Sequence, residues 1–171
     1  FHCADTGDSP GRVYLGDLEG FETPIVNGNT TTGWDSVLFL GMWDGGWGSV
    51  CSGTLISPDV VLTAAHCLED FHATVEVYWC DQCYQGEYLY YDTMRSSSDY
   101  HMHPQYDWGY DVVNDIAVVV LGASAPTDPV PINRDTPSNS WLGNHDLTFI
   151  GFGDTGYGYD DSGTKREVDI G

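Results

Sequence analysis

The sequence predicts an all-β fold, and three observations support this prediction. Short runs rich in β-branched, aromatic and aliphatic residues recur along the chain, separated by clusters of Gly, Pro, Asp and Asn. Apart from a short turn after Cys67, no convincing apolar stripe has the spacing of an amphipathic helix. The chain also contains 21 glycines among its 171 residues. Without helices to connect parallel strands, this pattern indicates a β-barrel or a β-sandwich.

Seven segments are predicted to form strands, each a run of apolar and β-branched residues between turn residues. In chain order they are residues 36–42, 49–57, 59–66, 73–79, 87–92, 115–122 and 147–153. The first six lie within residues 25–122, which are predicted to form a first barrel. The seventh begins a second unit at residues 147–171.

Two further segments lack this alternation. Residues 1–24 are polar and contain glycine, which is typical of an N-terminal extension or pro-segment. Residues 123–146 hold four of the eight prolines and show no periodicity. They are therefore predicted to link the two units.

The chain is strongly acidic, with 26 Asp and Glu against 5 Lys and Arg and a net charge of −21. Binding to nucleic acid requires clustered Lys and Arg, so a nucleic-acid partner is not expected. No run of apolar residues is long enough to span a membrane, so no membrane association is expected. The acidic residues are spread along the chain, which indicates a solvated surface, with attraction of cationic substrates as the alternative.

Five cysteines suggest an oxidising compartment, so a secreted, extracellular or periplasmic protein is expected. Cys51 and Cys67 lie on two strands joined by a short turn, where their side chains can face each other and form a disulfide. Cys80 and Cys83 are predicted to form a local disulfide, with a redox pair or half of a zinc site as alternatives. The odd number leaves Cys3 without a partner within the chain.

His66 ends an apolar run, and a Cys51–Cys67 disulfide would hold the loop that carries it. A histidine held in this way suits general-base catalysis, where a misplacement of about 1 Å is costly. Taken alone, His66 could equally be a histidine packed for structural reasons.

Asp115 directly precedes an apolar strand, at the edge of the predicted core. A carboxylate there is costly unless it accepts hydrogen bonds, and a histidine N–H is a suitable donor. The carboxylate would then fix the tautomer of the histidine and stabilise the imidazolium as it forms. Asp115 could alternatively be a capping residue, but the two patterns together favour a catalytic His–Asp pair.

Several motifs resemble the chymotrypsin/trypsin-like serine peptidase family. They are IVNG (25–28), CSGTLISPDVVLTAAHC (51–67), HPQYD (103–107), NDIAVVVL (114–121) and LTFIGFG (147–153). The resemblance covers about residues 25–170 and implies a chymotrypsin-like double β-barrel that hydrolyses peptide bonds outside the cell. It implies His66 as the general base and Asp115 as its orienting carboxylate, in the order His, Asp, Ser.

The nucleophilic serine of the resembled family would lie roughly 90 residues beyond the aspartate, which is past Gly171. Ser9 precedes the histidine and lacks the glycines of the family motif, and Ser162 follows Asp115 too closely. The serine, the oxyanion donors and the substrate pocket are therefore expected on a second polypeptide, the C-terminal chain of the same peptidase. Family members that tie a pro-segment to the second barrel suggest a disulfide through Cys3 as the link.

Activation in the resembled family follows a cut before the Ile-Val pair. Here Pro24 precedes Ile25, where the family usually has Arg or Lys, so the chain is either zymogen-like or activated by another route. Lys165 and Arg166 suggest a second cleavable site, in a loop predicted to be exposed.

No cofactor is expected, with calcium as the weaker alternative. Asp81 and Glu87 lie in the loop where some family members bind calcium, but two carboxylates fall short of the six to eight oxygens that calcium requires. His101 and His103 share one face of a strand, which a metal could use. Without a third ligand they are interpreted as surface histidines.

The leading functional hypothesis is a secreted serine endopeptidase that acts on protein or peptide substrates. The alternative is a catalytically inactive, protease-like binding protein. The presence of both His66 and Asp115 argues against the alternative, because a protein without catalysis has no need of either.

Overall fold

The computed structural model describes residues 10–14, 25–44, 47–69, 74–85, 88–138, 141, 143, 145–156 and 161–170. Most of the described elements are β-strands, in agreement with the predicted all-β class. They are β1 (Gly11–Tyr14), β2 (Asn29–Thr30), β3 (Val37–Asp44), β4 (Trp47–Ser57), β5 (Val60–Thr63), β6 (Val75–Trp79), β7 (Tyr84–Gln85), β8 (Tyr88–Tyr91), β9 (Thr93–Met102), β10 (Asp107–Trp108), β11 (Val112–Val113), β12 (Ala117–Leu121), β13 (Leu147–Gly151) and β14 (Arg166–Ile170). A 3-10 helix spans His66–Leu68. Within these ranges, no helix is long and apolar enough to cross a membrane.

Six strands form a closed antiparallel barrel in the order β12-β5-β4-β3-β6-β9, with β9 pairing back to β12. Alternate residues of each strand point to opposite faces, so one set of aliphatic side chains fills the interior. This interior cluster includes Leu38, Leu40, Met42, Leu55, Val61, Val75, Val77 and Val119, all buried. The barrel therefore has a complete core of its own.

None of the seven predicted strand segments covers β9, and only its end at His101 was placed on a strand, although β9 closes the barrel. Its residues, TMRSSSDYHM, are mostly polar, and only Thr93 and Met94 are buried. β9 forms because β6 and β12 pair with its two edges. Tertiary pairing here overrides the weak local preference of the segment for strand.

Two predicted boundaries also differ from the structure. No strand was predicted within residues 1–24, yet β1 pairs there with β8 in a sheet of order β1-β8-β7. The strand predicted at residues 59–66 ends at Thr63, and the chain then turns into the 3-10 helix.

A second apolar cluster covers the outside of the barrel. It includes Val37 and Phe39 from β3, Tyr78 from β6, Leu89 from β8 and Phe152, which follows β13. The Phe39 and Phe152 rings meet edge to face, with centroids 5.5 Å apart. This cluster joins the barrel to two three-stranded sheets, one that contains β8 and one that contains β13.

In the second unit, β13 and β14 form a three-stranded antiparallel sheet with β2 from the N-terminal side of the barrel, in the order β13-β14-β2. The loop between Cys80 and Cys83 holds the approach to β14 through an isolated bridge between Gln82 and Thr164. The Cys83 amide also donates to the Gly163 carbonyl at 2.7 Å. Gly163 has φ +88°, and a Cβ there would lie 2.4 Å from the Tyr84 ring, so only glycine fits.

The prediction of an exposed, cleavable loop at Lys165 and Arg166 is wrong. Their side chains are only 3% and 9% exposed. Lys165 Nζ donates to the Gly33 carbonyl at 2.9 Å and pairs with Asp81 Oδ1 at 2.9 Å. Arg166 Nη2 pairs with Asp161 Oδ2 at 3.1 Å. Both cations are buried because carbonyl and carboxylate oxygens replace their water.

The segment predicted to be a linker follows the barrel surface. The Ala125 amide donates to the Pro58 carbonyl at 2.7 Å, and the Val130 amide donates to the Leu55 carbonyl at 3.0 Å. Thr127 Oγ1 accepts a hydrogen bond from the Trp79 indole at 2.8 Å. These contacts lead the chain from β12 towards β13.

Candidate active site

His66 begins the 3-10 helix at the end of β5, between buried Ala65 and buried Cys67. The predicted disulfide between Cys51 and Cys67 is confirmed. It ties the helix to β4, which carries Cys51. His66 is therefore fixed on both sides by the barrel core.

Asp115 lies two residues before β12 and contacts His66 through both carboxylate oxygens. The His66 backbone N–H donates to Oδ1 at 2.9 Å, and the imidazole Nδ1 donates to Oδ2 at 2.7 Å. The structure thus brings together the two residues that the sequence selected, although they are far apart in the chain. Their side chains remain 21% and 27% exposed, so the pair faces solvent at one edge.

The electrostatics of the pair determine which nitrogen carries the proton. Burial alone would raise the pKa of Asp115, but the hydrogen bonds and charge of His66 outweigh it and lower that pKa. Asp115 is therefore ionised at neutral pH and can only accept, so Nδ1 carries the hydrogen of neutral His66. Nε2 keeps its lone pair, and it lies 3.6 Å from Cys67 Sγ. This is the tautomer that a general base requires.

A short hairpin formed by β10 and β11 lies beside the imidazole. Asp107 pairs with Val113, and Trp108 pairs with Val112. The Trp108 ring centroid lies 5.5 Å from that of His66, and the indole is largely exposed. The hairpin therefore forms an apolar wall next to the candidate base. The sequence did not predict this hairpin, because its residues show little alternation of apolar and polar types.

Glu69 and Tyr106 form a further contact that the sequence reading missed. The Tyr106 hydroxyl donates to Glu69 Oε2 at 2.8 Å. Burial, this hydrogen bond, and the charges of Glu69, Asp115 and Asp107 raise the pKa of Tyr106, so the hydroxyl stays a donor. Tyr106 lies in the HPQYD motif, but no local signal indicates its partner.

Ser162, one of the two serines considered as nucleophiles, does not join the pair. Ser162 lies near Cys51, Ser52 and Asp154 around a small cleft. In the part of the chain that the structure describes, no serine hydroxyl hydrogen-bonds to the His66 ring. Ser9 lies outside the described residues, as do Cys3 and Pro24.

Ile25 is held at the junction of the two units. Its backbone N–H donates to the Asp154 carbonyl at 2.7 Å. The Ile25 nitrogen is an amide of the continuous chain. It is not the free amine that a cut before Ile25 would produce, so it carries no charge and cannot form an ion pair with a carboxylate.

The Cys80–Cys83 pair forms the predicted local disulfide. Both sulfurs are therefore used, which rules out half of a zinc site in this oxidised form. Of the two carboxylates considered for calcium, Asp81 pairs through Oδ1 with the Lys165 ammonium, and Glu87 lies outside the described residues.

No other described residues offer a metal site. His101 Nε2 lies 3.4 Å from Asp99 and is exposed, whereas His103 Nδ1 accepts from the Gln105 amide at 3.2 Å. The described residues contain one His/Cys/carboxylate group close enough to hold a metal, Cys51, His66 and Cys67. Its two sulfurs form a disulfide and cannot act as thiolate ligands.

Comparisons with known proteins bear on the family and the fold. The family model described as Trypsin matches residues 25–170. A venom serine protease of Polistes dominula is 31% identical over 134 residues, which are 72% of this chain and 46% of that protein. The chain thus spans about half the length of this curated relative. A solved structure described as that of GrC has a TM-score of 0.66 at 21% identity, and the match covers 85% of this chain and 64% of that one. At this identity the likeness shows the fold alone, and it confirms the predicted chymotrypsin-like class.

Proposed function

Because the chain belongs to the trypsin family of serine peptidases, we propose that it supplies the general base and the orienting carboxylate of a secreted serine endopeptidase. The observation that carries this proposal is the double contact of Asp115 with His66, through the backbone N–H and through Nδ1. That contact leaves Nε2 as the proton acceptor at the edge of the barrel.

In the first chemical step, Nε2 of His66 takes the proton from a serine hydroxyl while the serine oxygen attacks the scissile carbonyl. The imidazolium then carries a proton on each nitrogen, and the charge of Asp115 stabilises it. His66 passes the new proton to the leaving amine, the C–N bond breaks, and an acyl-enzyme remains.

In the second step, Nε2 takes a proton from water as the water oxygen attacks the acyl carbon. The proton returns to the serine oxygen when the ester bond breaks. Throughout, Asp115 stays ionised and holds the ring in one orientation. The lowered pKa of Asp115 is consistent with this role.

The nucleophilic serine, the oxyanion donors and the substrate pocket belong, in this proposal, to a second polypeptide. Two observations support it: no described serine hydroxyl bonds to His66, and the sheet formed by β13, β14 and β2 exposes apolar side chains. The second polypeptide would cover that sheet and bring its serine to Nε2. A disulfide through Cys3 is one way to join the two chains. The amide at Ile25 suggests that this form is zymogen-like.

Secretion is supported by the two disulfides, which persist in oxidising compartments. The Polistes dominula relative is named as a venom protein, which is consistent with the same location. The substrates would be proteins or peptides.

The test uses the full-length protein, purified under non-reducing conditions and treated with a fluorophosphonate probe. We expect a second polypeptide to co-purify and to carry the label once the chain is cut before Ile25, and we expect His66→Ala to abolish that labelling. His101→Ala, an exposed histidine on β9, is the control and should label normally.

Three results would contradict parts of the proposal. An intact complex that stays unlabelled, even after a cut before Ile25, would favour the alternative of an inactive protease-like binding protein. A label on Ser162 would place the nucleophile in this chain. A folded chain with no co-purifying polypeptide would end the two-chain model.

A further inference from the structure

The His66–Asp115 pair joins two separate parts of the barrel surface. His66 belongs to the 3-10 helix after β5, and Asp115 belongs to the loop at residues 103–116 before β12. Both described hydrogen bonds between them end on the same carboxylate group. The strands that lead into the helix and out of the loop also pair, at Thr63 and Ala117. A contact away from both points would further restrict how the helix moves against the loop.

Glu69 is placed to make such a contact from the helix side. It is the residue directly after the 3-10 helix, in an extended conformation, and its backbone N–H donates to the His66 carbonyl at 3.4 Å. A displacement of Glu69 would therefore be transmitted to His66. The Glu69 carboxylate itself projects from an exposed position.

Tyr106 is placed to make the same contact from the loop side. Its backbone N–H donates to the His103 carbonyl at 2.9 Å, and its half-buried ring packs against the barrel core. The neighbouring Gln105 carbonyl accepts from Asn114 Nδ2 at 2.8 Å, directly beside Asp115. Tyr106 and Asp115 are therefore parts of one hydrogen-bonded loop.

We propose that the hydrogen bond from Tyr106 to Glu69 is a strut that fixes the position of His66 relative to Asp115, which makes Glu69 and Tyr106 positioning residues. The 2.8 Å bond crosses between the helix and the loop at a point away from the Asp115 carboxylate. The catalytic part of this inference rests on the proposed peptidase function, whereas its structural part does not.

The strut matters more for catalysis than for stability. Both residues are at least partly exposed, so the bond competes with water and contributes little to folding. A misplacement of about 1 Å at a catalytic group, in contrast, can lower a rate by about 100-fold. Loss of the strut should therefore lower kcat severalfold or more while it changes the melting temperature little.

The experiment compares Tyr106→Phe, Glu69→Ala and Glu69→Gln in the full-length protein. The first two remove the donor and the acceptor. In Glu69→Gln, the amide oxygen of the introduced side chain can still accept from the tyrosine, so that variant is the conservative rescue. Tyr90→Phe in β8 and Glu167→Ala in β14 are matched controls. Glu167 also accepts a hydroxyl hydrogen bond, from Thr31 at 3.0 Å, but in the second sheet.

The first measurement is the solvent-exchange rate of the His66 Nδ1 proton by NMR, which needs no peptidase activity. We expect about fivefold faster exchange in Tyr106→Phe and in Glu69→Ala, and near-normal exchange in Glu69→Gln and both controls. The second measurement is steady-state kinetics, where kcat should fall about tenfold with KM within about twofold in the first two variants.

Unchanged Nδ1 exchange in Tyr106→Phe and Glu69→Ala would overturn the strut, whatever happens to the melting temperature. Equal damage from Glu69→Gln and Glu69→Ala would also overturn it, because the hydrogen bond would then not be the cause. A wild-type protein without peptidase activity would contradict the proposed function alone, since the exchange measurement would still test the strut.

Discussion

The closed barrel and the second sheet use apolar residues in opposite ways. The barrel turns its aliphatic side chains inward, where Leu40, Leu55 and Val119 have no exposed surface. The β13-β14-β2 sheet leaves Leu147, Phe149 and Ile170 exposed, with Phe149 49% accessible. Antiparallel sheets normally bury one apolar face. The barrel is thus complete by itself, and the second sheet presents a face suited to cover by another surface.

In the proposed function, the two regions therefore have different roles. His66 and Asp115 both belong to the barrel, where the Cys51–Cys67 disulfide and the interior core fix them. Their geometry therefore does not depend on what covers the second sheet. The second sheet, in the proposal, serves to dock the polypeptide that carries the serine.

The largest expected effect comes from breaking the pair within the barrel. Asp115→Asn should lower kcat/KM of the full-length protein by about 10⁴-fold, because an asparagine amide favours the wrong histidine tautomer. Asp169→Asn in β14 is the control, since it removes a carboxylate that accepts a hydrogen bond from Thr148 at 2.6 Å, but in the second sheet. A similar loss in both variants would contradict the assignment of the orienting role to Asp115.

The next effect compares one apolar residue from each region. Leu55→Ala in the barrel core should lower the free energy of unfolding by about 2–5 kcal/mol, because it leaves a cavity in a packed interior. Phe149→Ala should cost less than about 1 kcal/mol, because half of that side chain already faces solvent. Chemical denaturation of both variants checks this. An equal loss would show that Phe149 is covered in solution, and the contrast between the regions would not hold.

The sequence predicted the barrel better than its surroundings, for a physical reason. β5 and β12 are short runs of mostly apolar and β-branched residues, which can be recognised from their own sequence. β9 is polar and depends on its two neighbours, so no window of its own sequence predicts it. β1 depends in the same way on pairing with β8.

The candidate site likewise contains residues that have a local signal in the sequence and residues that have none. His66 and Asp115 could be selected because each lies next to an apolar strand within a recognisable motif. His66 follows β5, and Asp115 precedes β12. The Tyr106–Glu69 contact could not, because a hydrogen bond between two surface loops leaves no pattern in either. The burial of Lys165 was missed for a related reason, because its partners, Gly33 and Asp81, become neighbours only when the two units pack. The pairing of Arg166 with Asp161 is local to the second unit, but no pattern in the sequence indicates it.

The smallest expected effect concerns one acidic residue from each region. Burial raises the pKa of Asp115, but hydrogen bonds from His66 outweigh it, and the pKa lies below its ordinary value of 3.8. For Asp161, burial likewise raises the pKa, but hydrogen bonds from Thr155 and the charge of Arg166 outweigh it and lower the pKa below 3.8. A group with a lowered folded pKa stabilises the folded state fully above its unfolded pKa. That contribution is lost as the pH falls through the folded value.

Asp115→Asn and Asp161→Asn should therefore each make the acid-induced loss of stability below about pH 4 less steep than in the wild type. The change should be larger for Asp115, because Asp161 is 39% exposed and water screens its interactions. Denaturant unfolding at a series of pH values between about 2 and 6 measures both slopes. If Asp161→Asn flattened the curve more than Asp115→Asn, the carboxylate at the second sheet would be the more strongly held of the two. The barrel would then not hold its carboxylate more firmly than the second unit does.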